Sequence, residues 1–130
     1  MTPEKDPLVS LVSSDTKTID RQQLAVVLKP FIVIDEDSKE FSFLPEFSLL
    51  EGNALKISIL LAGVKARALL FGLPDGLSPS DIINLEIMAS GSVKSSLKRL
   101  SDDNKVKQDK EGKYFLPAYC IPDLAKKVVK

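Results

Sequence analysis

Histidine and tryptophan are absent from this 130-residue sequence, and cysteine occurs once, as Cys120. A zinc site built from the usual cysteine and histidine ligands is therefore excluded by count, and no disulfide can form within the chain. Because no histidine is present to activate a thiol, Cys120 is expected to be a small buried apolar residue and not a nucleophile. A single cysteine also predicts an intracellular, cytoplasmic protein.

Long apolar runs and phosphate-binding loops are missing as well. The longest apolar stretch, residues 57–71, is interrupted by Lys65 and Arg67 and is too short to span a bilayer. Residues 1–7 hold prolines and charges in place of the apolar core of a signal peptide. No glycine-rich nucleotide motif occurs, and no pair of carboxylates is set in a recognisable pocket. We therefore expect no enzyme, no cofactor and no membrane partner, and leave open whether a small-molecule effector binds.

The net charge is zero, with 18 basic and 18 acidic side chains, but the two signs are unevenly distributed. Residues 1–89 hold 8 lysines and arginines against 13 acids, which gives −5, whereas residues 90–130 hold 10 against 5, which gives +5. Overall neutrality and a pI near 6.3 argue against a general polyanion binder. The uneven distribution predicts an acidic body that carries a basic working face.

The first part of the chain is predicted to be an arm followed by a small α/β extension over residues 18–52. Residues 1–17 are rich in serine, threonine, proline and charge and are expected to be a flexible arm, although residues 8–12 also fit an edge strand. Thr18 is a candidate cap for a helix over residues 19–28 that Pro30 ends. Residues 25–28 fit a strand as well.

A β-hairpin is predicted from two short apolar runs, residues 31–34 and 41–44, which flank a polar turn. Asp35 and Asp37 in that turn have the spacing of calcium ligands, but the glycine and the closing glutamate of a calcium loop are missing. A solvated turn is therefore expected. Residues 46–50 are predicted to form one helical turn.

A long helix over residues 54–71 is predicted to be the buried spine of the fold, because apolar residues occupy most of its circumference. Asn53 is the candidate N-cap and Gly72 the expected end of this helix. Glycine inside a helix costs about 1 kcal/mol relative to alanine, and we attribute Gly63 to a close helix crossing.

Two more helices are predicted after a short turn. Ser78 can cap the first of them, Pro79 suits its first position, and Asp81 can complete a capping box. This helix is expected to run to about residue 87. Residues 88–91 are then a turn. Either Ser90 or Ala89 lies at the start of the helix that follows over residues 91–100, and Ser90 is the better cap of the two.

The helix over residues 91–100 is predicted to be amphipathic. Val93, Leu97 and Leu100 recur at spacings of four and three and should face inward. The outward positions are small or basic, with no acid among them: Ser92, Lys94, Ser95, Lys98 and Arg99. Such side chains suit phosphates and base edges, although an ordinary surface helix with a wet lysine face has the same pattern.

A second hairpin is predicted over residues 106–116. Asn104 is expected to adopt the left-handed conformation at the end of the preceding helix, and a glycine marks the tight position of the hairpin turn. The hairpin carries Lys107, Lys110 and Lys113, while its acidic side chains weaken the basic field, so few phosphate contacts are expected here.

In this order of elements, residues 78–116 resemble the winged helix-turn-helix domain of bacterial and archaeal regulators. The segment from Ser92 to Leu100 matches the Ser-Val-(Lys/Arg)-x-x-Leu-x-x-Leu pattern of the recognition helix in that superfamily, and residues 112–114 match its Gly-x-Tyr return strand. Asn104 replaces the usual glycine, and residues 87–89 replace the usual Gly-apolar-Ser turn. The resemblance implies an α+β fold in which a winged-helix domain with a C-terminal helix covers residues 53–130.

The resemblance also implies a DNA-binding transcription regulator with double-stranded DNA as its partner. The helix over residues 91–100 would enter the major groove and the wing over residues 106–116 would lie on the backbone. The DNA-contacting residues would be Ser90, Ser92, Lys94, Ser95, Lys98, Arg99, Lys107, Lys110 and Lys113. The last helix, residues 123–130, either packs on the spine helix or crosses to the second subunit of a homodimer. The alternative function is a winged helix that serves as a protein-interaction or scaffold module without DNA binding.

Overall fold

The structure is a computed structural model that describes residues 19–128, and its mixed helix and sheet content is compatible with the α+β class. The helices are α1 (Arg21–Leu28), α2 (Pro45–Ser48), α3 (Asn53–Phe71), α4 (Pro79–Asn84), α5 (Ser90–Asp102) and α6 (Ile121–Val128), with a 3-10 turn over Ala118–Cys120 before α6. The strands are β1 (Ile32–Ile34), β2 (Phe41–Phe43), β3 (Lys107–Gln108) and β4 (Tyr114–Phe115). Over this part of the chain, no helix has both the length and the apolar character needed to cross a membrane. The predicted flexible arm and the predicted edge strand over residues 8–12 lie outside the described residues.

Helix α3 is the centre of the fold. Every residue from Ile57 to Lys65 is buried, and α1, α5, α6, β1 and β4 all contact the helix. Gly72, with φ of 69°, ends it by donating its N–H to the carbonyl of Ala68, as predicted. The predicted cap is wrong by one position, because Asn53 is the first helical residue and Gly52 precedes it without a side-chain hydrogen bond.

The first helix begins two residues later than predicted. The Asp20 carboxylate accepts a hydrogen bond from the N–H of Gln23 (3.0 Å), which makes Asp20 the cap and Arg21 the first helical residue. The predicted start at residue 19 with a Thr18 cap is therefore wrong, and so is the strand alternative for residues 25–28. Three apolar side chains of α1 are buried: Leu24, Val27 and Leu28.

The first hairpin is confirmed, with Ile32 opposite Phe43 and Ile34 opposite Phe41. Its turn is closed by the Asp35 carboxylate, which accepts hydrogen bonds from the N–H groups of Ser38 (2.7 Å) and Asp37 (3.0 Å). These bonds, above all the one from Ser38, lower the pKa of Asp35 below its ordinary value of 3.8. Asp35 therefore stabilises the turn itself, in line with the solvated turn predicted here.

The hairpin packs directly on the middle of α3. A Cβ added to Gly63 would lie 3.0 Å from Ile32 Cδ1 and 3.4 Å from a ring carbon of Phe41. The close approach that explains Gly63 is thus to hairpin side chains, and the predicted helix crossing is wrong. Arg67 fastens the same hairpin: its Nη1 donates to the Lys39 carbonyl (3.0 Å) and its guanidinium lies 4.5 Å from the Phe41 ring centroid. Burial lowers the pKa of Arg67.

The second hairpin pairs Lys107 with Phe115 and Gln108 with Tyr114. On its other side β4 pairs with Leu77, through reciprocal backbone hydrogen bonds of 2.9 and 2.7 Å between Leu77 and Tyr114. Leu77 thus adds one isolated antiparallel bridge to the outer side of this two-stranded hairpin. This pairing connects the hairpin to the start of the segment that contains α4 and α5.

Helix α6 begins at Ile121, two residues earlier than predicted, and packs on both α1 and α3. Its apolar edge, Ile121 and Leu124, is buried within the chain. Of the two arrangements predicted for the last helix, the structure shows packing on the spine helix. Cys120 is buried just before it, as expected, and its Sγ donates to the Asn104 carbonyl (3.8 Å).

Candidate nucleic-acid interface

The start of α4 is a complete capping box. The Ser78 Oγ accepts from the N–H of Asp81, and the Asp81 Oδ2 accepts from the N–H of Ser78, both at 3.1 Å. Pro79 occupies the first helical position, where its missing N–H costs no intrahelical bond. The end of the helix was predicted wrongly, because α4 stops at Asn84 and not near residue 87.

The turn between α4 and α5 is made by a non-glycine residue in the left-handed conformation, Glu86, with φ of 57°. This conformation costs about 1–2 kcal/mol for an ordinary residue. Ile87 and Met88, which follow it, are partly buried against the core. Packing of these two side chains offsets the conformational cost of Glu86. The chain therefore reverses before residues 88–91, where the sequence predicted the turn.

Helix α5 is longer than predicted at both ends. It runs over Ser90–Asp102, and Ala89 precedes it without a side-chain hydrogen bond. Ser90 is inside the helix, so its predicted role as the cap is wrong. The inward stripe is confirmed: Val93, Leu97 and Leu100 are 0%, 2% and 6% exposed, and the helix packs on α3 and α4.

The outward face of α5 presents the predicted side chains to solvent. Ser90, Lys94, Ser95, Lys98 and Arg99 are exposed, and Ser92 is half-buried. Within residues 19–128, no ion pair engages the three cations of this face. Cationic groups that face solvent without an acidic partner are available to an anionic ligand.

One acid joins the face because the helix is longer than predicted. Asp102 is exposed, follows Lys98 by four residues, and therefore shares its side of the helix. The face is free of acids over its first three turns and not at its last. The cations of the face thus lie in the middle and second half of α5, at Lys94, Lys98 and Arg99, and Asp102 follows them at its end.

The three lysines of the wing differ in their surroundings. Lys110 is exposed at the tip. Lys113 is half-buried, with its Nζ 4.0 Å from Glu111, and the Nζ of Lys107 lies 5.3 Å from the Tyr119 ring centroid. Asp109 is occupied within the turn, where its carboxylate accepts from the N–H groups of Glu111 and Lys113 (2.9 Å each). Lys110 is therefore the wing cation with the least competition from neighbouring groups.

The structure brings α5 and the wing together through a short connection. Asn104, with φ of 58°, reverses the chain after α5 as predicted. The N–H of Lys105 then donates to the Leu100 carbonyl (2.8 Å), and Val106 is buried at the base of the hairpin. The wing thus starts against the end of α5, and the Lys-bearing hairpin is directly connected to the cationic helix.

A cleft of about 630 Å³ lies between the start of α3, the second half of α5 and α6. Its basic lining residues are Arg99, Lys105 and Lys127, and its acidic ones are Glu51 and Asp103. Neither Lys105 nor Lys127 was among the predicted site residues. No sequence signal identified them, because three elements far apart in the chain form the cleft.

Comparison with known proteins finds no matching family model, no similar curated protein and no similar solved structure. The function of the site is therefore inferred from its own residues.

Hydroxyl and cationic groups dominate the outward face of α5 and the wing tip. Hydroxyls donate and accept hydrogen bonds, and lysine and arginine neutralise phosphate. Over residues 19–128 no group of three or more cysteine, aspartate or glutamate side chains is arranged so that it could hold a metal ion. The pKa of Asp35 and that of Arg67 are both lowered, and these two groups serve the first hairpin and not this face. The described face thus offers exposed hydroxyl and cationic groups.

Proposed function

We propose that this protein binds double-stranded DNA as a winged-helix protein, with the α5 helix in the major groove and the hairpin over residues 106–116 on the sugar-phosphate backbone. The observation that carries the proposal is the division of α5 into two faces. Val93, Leu97 and Leu100 are buried, while Lys94 and Lys98 face solvent on the other side. A helix that is anchored by one side and cationic on the other fits the width of a major groove.

The order and connection of the surrounding elements support this proposal. A long buried helix, a strand-like residue paired to the wing, a capped short helix, α5 and a two-stranded hairpin follow one another in the chain. This is the order of elements in winged-helix domains. Lys110 at the wing tip adds a cation that lies on a different element from those of α5, so one duplex can be contacted in two places.

The acidic side chains of the protein limit the size of the electrostatic effect. Asp102 ends the cationic face of α5, and Glu111 lies beside Lys113 in the wing. We expect about four to six phosphates to be neutralised per subunit, which gives a slope of about −3.6 to −5.4 in a plot of log K against log salt concentration. A role in transcription regulation, a cytoplasmic location and a homodimeric state belong to the same proposal.

Fluorescence anisotropy with a labelled duplex, measured from low to moderate salt, tests the proposal. The variant Lys98→Glu/Arg99→Glu should lose most of the affinity. The matched control Lys29→Glu/Lys126→Glu reverses two exposed cations on α1's end and on α6 and should retain most of it. An absence of binding at low salt, or equal losses in the two variants, would contradict the proposal.

A second candidate function is protein interaction without DNA binding. It is favoured by a group of exposed apolar side chains at the end of α3: Leu70, Phe71 and Leu73 are 62%, 39% and 37% exposed. Apolar side chains grouped on a surface are typical of contact sites. If the protein acts in this way, Leu70→Ser/Phe71→Ser abolishes binding to the partner protein in a pull-down, and Lys98→Glu/Arg99→Glu leaves that binding unchanged.

A further inference from the structure

A charged side chain lies in the core directly behind the wing. Lys65, in the middle of α3, is 1% exposed and is one of two buried polar residues among residues 19–128, the other being Ser58. Its Nζ lies 2.5 Å from Asp75 Oδ2 and 5.6 Å from the centroid of the Phe115 ring in β4. A single polar group thus contacts both the loop before α4 and a strand of the wing.

Asp75 belongs to a loop that is itself pressed against the wing. Gly76, the next residue, has φ of 116°, and a Cβ placed there would lie 3.0 Å from the carbonyl oxygen of Tyr114. Leu77 then forms its two backbone hydrogen bonds with Tyr114, and Ser78 caps α4. The ion pair therefore lies at the junction where α3, the wing and the start of α4 meet.

An ion pair with one buried partner, Lys65, and one partly exposed partner, Asp75, is a costly way to hold such a junction, because the lysine loses its hydration. Its attraction offsets the loss of hydration only when the geometry is good, and an apolar pair of similar volume often stabilises a fold equally well. A charge-assisted hydrogen bond differs from an apolar contact in fixing distance and direction. An apolar contact at the same place would allow the loop, and with it β4, to slide along α3.

We propose that the Lys65–Asp75 ion pair is a positioning device that fixes the wing relative to α3, and hence relative to α5, which packs on the same helix. In its consequence for DNA this inference rests on the proposed function. Neither side chain contacts DNA in this role. Both act through Tyr114 and Leu77, which set where the wing lysines lie.

Hydrogen exchange of single amides, followed by NMR, tests the device without any ligand. The N–H of Tyr114 reports the wing junction, because it donates to the Leu77 carbonyl at 2.7 Å. The N–H of Leu97, in the buried stripe of α5, is the reference. In Asp75→Asn, Tyr114 should exchange at least about tenfold faster relative to Leu97 than in the native protein, because local opening is governed by local contacts.

The matched control is Glu111→Gln, which removes the exposed ion pair with Lys113 (4.0 Å) and should leave the ratio unchanged. The double variant Lys65→Met/Asp75→Leu keeps an apolar contact in place of the pair. It should remain folded and still show the faster exchange at Tyr114. Equal acceleration at Tyr114 and Leu97 would mean that the pair supports only global stability, and it would overturn the proposal. Unchanged exchange in Asp75→Asn would overturn it too.

DNA binding provides a second readout with a separate outcome. In the native background, Lys110→Met/Lys113→Met should reduce the salt slope by about 1.8, because each phosphate that is no longer neutralised accounts for about 0.9. In the Asp75→Asn background, the same two substitutions should reduce it by less than half as much, because the wing is already displaced. A full reduction there would overturn the positioning role in binding. If the native protein binds no DNA, the proposed function fails. The ratio of the Tyr114 to the Leu97 exchange rate then decides by itself whether the ion pair positions the wing.

Discussion

The two helical glycines provide a comparison in which the same substitution should have opposite effects. Gly63, in α3, faces Ile32 of the first hairpin, whereas Gly91, in the first turn of α5, has no atom within 4 Å of an added Cβ. Replacing an exposed helical glycine with alanine removes a conformational cost of about 0.5–1 kcal/mol. Gly91→Ala should therefore stabilise the protein by about that amount.

Gly63→Ala gains the same conformational term but has to accommodate a methyl group. The added Cβ would lie 3.0 Å from Ile32 Cδ1, well inside the ~3.5–4.0 Å at which carbon atoms attract. Ile32 is 7% exposed and cannot turn out into solvent without leaving the core. Overpacking of this kind costs about 1–3 kcal/mol. The net effect is a destabilisation of up to about 2 kcal/mol, so the two variants should differ by about 1–3 kcal/mol.

Urea unfolding followed by circular dichroism measures both free energies of unfolding under the same conditions. The midpoint should rise in Gly91→Ala and fall in Gly63→Ala, with unchanged slopes. If Gly63→Ala were as stable as Gly91→Ala, the reasoning that the hairpin packs tightly on α3 would be refuted. A loss of stability in Gly91→Ala would refute the conformational argument instead.

Three further predictions concern local interactions. Ser78→Ala should lower the free energy of unfolding by about 1 kcal/mol through loss of the capping box, and Ser90→Ala, which removes no cap, should change it little; equal effects would contradict the assignment of the caps. Leu97→Ala should cost about 2–5 kcal/mol in urea unfolding because it leaves a cavity in the core, and a smaller loss would mean that α5 is loosely packed. Because the pKa of Asp35 is lowered in the folded state, its contribution is present above the ordinary value of 3.8 and is lost as pH falls through the folded value. The difference in free energy of unfolding between the native protein and Asp35→Asn should therefore narrow as the pH falls below 3.8 and through the folded-state pKa of Asp35. A difference that stays constant over this range would contradict the stabilising role of the carboxylate.

The elements that the sequence predicted well are those set by local patterns. The stripe of Val93, Leu97 and Leu100 follows from helical periodicity alone, and all three are buried. The capping box at Ser78 follows from the residue types at four consecutive positions, and it forms as expected. Such features depend on neighbours within one or two turns, which are visible in the chain itself.

The errors arise where distant segments decide the geometry. The end of α4 at Asn84 and the left-handed Glu86 depend on packing of Ile87 and Met88 against the core, which periodicity does not contain. The neighbours of Gly63 come from a hairpin that is more than twenty residues away in sequence. The predicted spine helix assigned Lys65 no partner, since its ion pair depends on where a loop beyond the helix end returns.

The same applies to the candidate site. Its cations on α5 and the wing were identified from residue type and helical position, and the structure exposes them. Their limits were not identified, because Asp102 joined the face only when the helix extended past residue 100. The cleft beside Arg99 was also missed, since its walls come from α3, α5 and α6.

The contact between α1 and α6 has a consequence for synthesis of the chain. The buried side of α1, formed by Leu24, Val27 and Leu28, packs against α6 as well as α3. When the ribosome has completed α1, the hairpin and α3, the segment that covers the remainder of this side has not yet been made. The nascent chain therefore exposes part of this apolar surface to solvent until residues 121–128 have been synthesised. Contacts between segments so distant in sequence also form slowly. During that interval a chaperone that holds apolar helices has its best opportunity to bind.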